Sequence, residues 1–140
     1  MTPNQALLVK NSFRMLAPRR RLLAPVFFDA LLAREPSLRP LFGPNLAAEG
    51  EALFDGLAGI ITSLGRIYPV VPALEWLAQR NACRGLGARH YESFGAALLE
   101  TLEMGHGEAF TPELRAAWTA AQQLVIRIML SSVEAEPLAA

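Results

Sequence analysis

The sequence predicts an all-α chain folded as one domain. Three observations lead there. Leu53, Phe54, Leu57, Ile60, Ile61 and Leu64 recur at helical spacing, and no stretch sustains an alternation of period two. Proline and glycine punctuate the apolar stretches at Pro18, Gly43-Pro44-Asn45, Gly85-Leu86-Gly87 and Gly105-His106-Gly107. The chain has 140 residues, 52% of them hydrophobic, which suits a single core with a cavity inside it. The pattern divides into about seven helices.

Thr2-Pro3-Asn4-Gln5 opens the first helix. Thr2 caps it, Pro3 suits the first helical position, and Gln5 completes a capping box. Leu8, Val9, Phe13 and Leu16 follow on one face, and Pro18 stops the helix. Arg19, Arg20 and Arg21 form a solvated corner, with too few charges for a lipid or acidic docking site. A second helix covers roughly 22–34, with Leu23, Val26, Phe27, Ala30 and Leu31 inward. Pro25 is tolerable in its first turn and kinks it if deeper. Residues 35–42 read as a short helical turn with Pro36 at its start.

The next helix runs from about 46 to 65. Gly50 and Gly56 each cost it about 1 kcal/mol against alanine. Another begins near Tyr68-Pro69-Val70-Val71-Pro72, carries Leu74, Leu77 and Ala78, and ends at Gly85. A helix over about 88–104 presents Tyr91, Phe94, Leu98, Leu99 and Leu102. Thr111-Pro112-Glu113 starts the last, with Leu114, Trp118, Ala121, Val125 and Ile128 on one face. Leu124, Ile126, Met129 and Leu130 broaden that face, which suggests a homodimer contact through the last two helices. The domain is set at 1–133, and 134–140 reads as a frayed tail.

Charge and cysteine content exclude several classes. Thirteen basic and 13 acidic residues cancel, so no footprint for nucleic acid or an anionic membrane is present. The single cysteine, Cys83, rules out an internal disulfide framework and suits a reducing compartment. Met1-Thr2-Pro3-Asn4-Gln5 lacks a signal-peptide layout, and no apolar run approaches the ~20 residues of a membrane span. The expected location is the cytoplasm. No nucleophile elbow, P-loop or dinucleotide fingerprint occurs, and no metal-ligand spacing joins His90 and His106. The expectation is a binding protein and not an enzyme.

The corner over residues 77–99 resembles the proximal side of the ligand pocket in bacterial single-domain globins. That family has a histidine-bearing helix, a glycine corner, then a helix opening with tyrosine. Here the corner is Gly85-Leu86-Gly87 and the tyrosine is Tyr91. Pro36 followed six positions later by Phe42, and Phe110-Thr111-Pro112-Glu113 with Trp118, match the same family. The likeness extends from Gln5 to about Leu130. It implies a globin-like fold, with Gly50 and Ala24 at a close helix crossing and Phe42 stacking on a macrocycle.

The resemblance also marks departures. Its spacing places Asn81 where the family's proximal histidine stands, and an asparagine amide is not among the usual haem ligands. The distal position falls at Glu49, the gas-contacting tyrosine position at Phe28, and the glutamate that tunes the proximal histidine at Ala120. The walls it nominates are Phe28, Phe42, Leu53, Phe54, Leu57, Leu77, Tyr91 and Phe94. His90 stands nine positions past Asn81, too far to replace the ligand without remodelling, and suits the pocket rim or the surface. His106, in a glycine loop, reads as solvated. Arg39, Arg80, Arg84 and Arg89 suit propionates at the pocket mouth, or solvated helix ends.

Cys83 has three readings: a small buried hydrophobe, a thiolate ligand aided by Arg80 and Arg84, or a neighbour of a linear tetrapyrrole. The third rests on a weaker resemblance to phycobiliproteins, in which a cysteine is closely followed by arginine and aspartate. Ala82-Cys83-Arg84 begins that pattern, but Gly85, Leu86 and Gly87 stand where the aspartate is expected. The function these resemblances imply is tetrapyrrole binding without histidine–iron ligation, with a biliverdin-type bilin as ligand and a carrier or chromophore role. The alternatives are a haem globin with atypical ligation and a ligand-free sensor or interaction module.

Overall fold

The structure, a computed structural model, describes residues 1–139, with side-chain surroundings for 1–134. Six α-helices are present among the described residues: α1 (Pro3–Leu16), α2 (Arg20–Arg34), α3 (Leu46–Thr62), α4 (Val71–Cys83), α5 (Ala88–His106) and α6 (Pro112–Ala139). The segment Pro36–Leu41, expected as a seventh helix, is a 3-10 turn. Pro40, inside the segment, lacks the N–H that an α-helix would pair with the Pro36 carbonyl. α6 continues to Ala139 through the stretch read as a tail, and Ala140 lies outside the described residues.

The caps at Thr2 and Thr111 follow the sequence, and Asn45, read only as part of a loop, adds another. Thr2 Oγ1 accepts from the Gln5 N–H at 3.1 Å, and Gln5 Oε1 accepts from the Thr2 N–H at 2.9 Å. Asn45 Oδ1 caps α3 through the Ala48 N–H at 3.2 Å, and Thr111 Oγ1 caps α6 through the Leu114 N–H at 3.2 Å. Just past the end of α4, Gly85 has a φ of +79° that lets the Leu86 N–H reach back to the Asn81 carbonyl at 2.9 Å. Pro25 lies inside α2, which begins at Arg20, deeper than the first turn.

α2 crosses both α3 and α5, while α1 and α4 pack on α6. The α2–α3 crossing depends on Gly50: a Cβ there would lie 2.6 Å from the Cβ of Ala24. The globin resemblance anticipated this contact and its partner. Phe27, Leu31 and Val9 are fully buried at the centre. Phe27 packs edge-on against Phe28 and Phe94, with ring centroids 5.4 and 4.9 Å apart.

His106 is half-buried and hydrogen-bonded, not solvated as its loop composition suggested. The buried Trp118 Nε1–H donates to Ser12 Oγ at 2.9 Å, and Ser12 Oγ in turn pairs with His106 Nε2 at 2.6 Å. Burial, and then the nearby Arg19 charge, lower the His106 pKa below its ordinary value of 6.5. The unfolded chain therefore binds the proton more readily, and this contribution to stability is complete above pH 6.5. It is lost as pH falls through the lower folded value. The expected result is a urea midpoint that drops more steeply between pH 7 and 5 in the native chain than in His106→Phe. Equal slopes would remove His106 from the acid response.

Candidate functional site

A cavity of about 360 Å³ separates α3 from α4, α5 and α6. α3 makes its main contacts with α1 and α2 and forms the opposite wall alone. Its lining face is Ala52, Leu53, Gly56, Leu57, Ile60 and Ile61, continued by Leu64 in the turn that follows. α4 contributes Leu74, Leu77 and Asn81, and α5 contributes Tyr91, Phe94, Gly95 and Leu98. α6 supplies Trp118, Ala121, Gln122, Val125, Ile126 and Met129. The periodicity of α6 exposed that face in the sequence. Nothing local distinguished pocket wall from core, because both require apolar residues at the same spacing. Ile126 and Met129, read as part of a dimer face, line the cavity.

Three polar side chains reach the lining. Asn81 Nδ2 donates to Tyr91 Oη at 3.2 Å, joining the end of α4 to the start of α5 across the glycine corner. Gln122 Nε2 donates to the Gly95 carbonyl at 3.2 Å. Gly95 makes that approach possible, since a Cβ there would stand 2.9 Å from Gln122 Oε1. No acid, base or thiol lines the cavity apart from the Tyr91 phenol. Among the described residues no group of three histidine, cysteine, aspartate or glutamate side chains is placed to hold a metal ion.

Of the residues nominated from sequence, Leu53, Leu57, Leu77, Asn81, Tyr91 and Phe94 meet in this cavity. The others do not line it. Phe28 is buried against Phe27 and Phe42, with Phe42 edge-on at 5.2 Å, so both belong to the α2 side of the core. Phe54 stacks on Phe13 at 5.9 Å behind α3. The Glu49 carboxylate accepts from the Gly43 N–H at 3.1 Å and ties down the loop before α3. The sequence counted the right helix, but Glu49 faces its N-terminal loop, and the wall begins a turn later at Ala52.

The proximal side shows a similar division. Arg80 lies over the Trp76 ring at 5.3 Å, and Cys83 is exposed. Arg84 donates to the Leu41 carbonyl at 3.4 Å. His90 Nδ1 accepts from the Gly87 N–H at 3.0 Å, closing the first turn of α5. Arg39 donates to the Phe42 carbonyl at 3.2 Å, and Arg89 pairs with Glu35 at 2.9 Å. The thiolate and rearranged-histidine routes to iron therefore have no support in the geometry. The cavity is an apolar slot with Asn81 at its α4 wall. It does not supply an iron ligand from that wall.

Six helices around an apolar slot, with a glycine corner linking α4 to α5, define an all-α pocket protein. A family model described as Globin matches residues 26–129, and the chain belongs to the globin family. A flavohemoprotein of Vibrio cholerae is 24% identical over 133 residues, covering 93% of this chain and 34% of that protein. One of Bordetella parapertussis is 30% identical over 124 residues, covering 86% and 31%. The chain thus spans about a third of the length of these curated relatives. The crystal structure of a flavohemoglobin from Malassezia yamatoensis, with bound FAD and heme, superposes with a TM-score of 0.74 at 19% identity. It covers 94% of this chain and 36% of that one, and shows the fold. The phycobiliprotein likeness gains nothing from these relatives. Among the described residues no helix is long and apolar enough to cross a membrane.

Proposed function

We propose that this chain is a tetrapyrrole-binding globin domain that takes haem into the α3–α6 cavity without a histidine on the iron. The observation that carries it is the apolar slot with Asn81, hydrogen-bonded to Tyr91, at the wall where the globin resemblance expects the histidine. Haem takes precedence over the bilin read from sequence, because the relatives are haem proteins by name and Cys83 lies outside the slot. Binding then rests on apolar burial, at about 25 cal/mol per Å². That burial must offset association costs of several kcal/mol. Bound haem would supply an iron able to take a small ligand. The chain supplies enclosure, two aromatic walls in Phe94 and Trp118, and the Asn81–Tyr91 pair. The lining carries no nucleophile or acid–base pair, which supports a carrier or sensor role over catalysis.

Titration of the purified chain with hemin and, separately, with biliverdin tests this by absorption. The expected result is one hemin per chain, with a Soret band and no histidine-ligated signature in the reduced form. Uptake of biliverdin alone would return the case to the bilin reading. Uptake of neither would overturn the tetrapyrrole reading and favour the ligand-free module.

A further inference from the structure

Leu53, Gly56, Leu57 and Ile60 stand at i, i+3, i+4 and i+7 on α3, and all four line the cavity. Gly56 is the member of that set without a side chain. A glycine inside a helix costs about 1 kcal/mol against alanine, so it calls for a compensating reason. Gly50, on the same helix, has one in its contact with Ala24. Gly56 has none in the folded chain: a Cβ there would meet nothing within 4 Å. Packing leaves the position free for a larger residue, and only the cavity beside it would be changed by one.

The cavity is open on this side. Ala52 and Gly56 are exposed on α3, and Leu77, facing from α4, is 38% exposed. At about 360 Å³ the cavity lies near the lower end of small-ligand pockets. A tetrapyrrole is larger than the ligands such pockets enclose, so part of it must project. The projecting edge leaves through the gap between α3 and α4. We infer that Gly56 is a positioning residue for the ligand: its missing side chain holds that gap open, and the edge of the macrocycle lies over it. This rests on the tetrapyrrole reading and adds where the ligand enters and which residue limits its size.

Gly59 provides a matched control. It is another exposed glycine of α3 whose added Cβ meets nothing within 4 Å, and it does not line the cavity. Leucine at either position should raise the melting temperature through helix propensity. Hemin and biliverdin are titrated into the native chain, Gly56→Ala, Gly56→Leu and Gly59→Leu, following quenching of tryptophan fluorescence. Gly56→Leu is expected to weaken binding by at least about tenfold, Gly56→Ala by less, and Gly59→Leu by under about twofold. Native-like binding by a folded Gly56→Leu would overturn the inference, as would equal losses at positions 56 and 59. Binding of neither probe by the native chain would fail the tetrapyrrole reading itself, and the role of Gly56 with it. Binding by the native chain with no effect of Gly56→Leu would fail the role of Gly56 alone.

Discussion

Asn81→His is expected to raise hemin affinity by at least about tenfold, or roughly 1.4 kcal/mol, and to give a histidine-ligated spectrum. Asn81 lines the cavity, so its replacement would place an imidazole on the ligand's side of α4. Imidazole is the usual protein ligand of globin iron. A ligating histidine also needs a partner for its second ring nitrogen. Tyr91 Oη, now 3.2 Å from the Asn81 amide, is placed to be that partner. Biliverdin carries no iron, so its affinity should stay within about twofold of the native value. The comparison of the two probes separates ligation from a general change in the wall. A folded Asn81→His chain that gains no hemin affinity would show that Asn81 does not occupy the proximal position.

Phe28→Ala is expected to destabilise the fold by about 3–5 kcal/mol while leaving ligand affinity nearly unchanged. Phe28 is 2% exposed and holds Phe27 and Phe42 in edge-on contact. Its removal opens a void at the crossing of α2 with the rest of the core. Total stabilities of about 5–15 kcal/mol make that loss a large fraction of the whole. A urea midpoint and a hemin titration under strongly native conditions read the two effects separately. Phe94→Ala should lower both, because Phe94 packs on Phe27 and also lines the cavity. Intact stability with lost binding in Phe28→Ala would place Phe28 against the ligand, as the resemblance alone suggested.

These two variants probe the cavity wall on α4 and the core beside α2. The arginines proposed for propionates have other work in the folded chain. Arg84 donates to the 3-10 segment after α2, Arg39 caps its end, Arg89 pairs with Glu35, and Arg80 lies over the exposed Trp76 ring. In the proposed reading the cavity's apolar walls carry recognition. The structure also leaves the relation to the longer relatives at the level of a shared domain, since the match covers about a third of their length.

The sequence by itself determined the helices, their caps and the corner at Gly85, because these depend on residues within one or two turns of each other. Thr2 with Gln5, Thr111 with Pro112, and Gly85 at positive φ are local decisions. The likeness to globins, carried by Tyr91 and the proline–phenylalanine pair, also placed Asn81 on the pocket and Gly50 against Ala24. Tertiary structure alone decided which apolar faces meet a cavity and which meet each other. Phe28, Phe42 and Phe54 have the same chemistry as Phe94, yet tertiary packing sets the first three against other aromatic rings and, of the four, only Phe94 on the cavity. The same holds for Met129 and Ile126, whose outward or inward sense depends on where α4 lies along α6. His106 was unreadable for a related reason: its partner Ser12 comes from the first helix and is itself held by Trp118 of the last. Periodicity fixes a face of each helix, and only the packing of all six determines what that face touches.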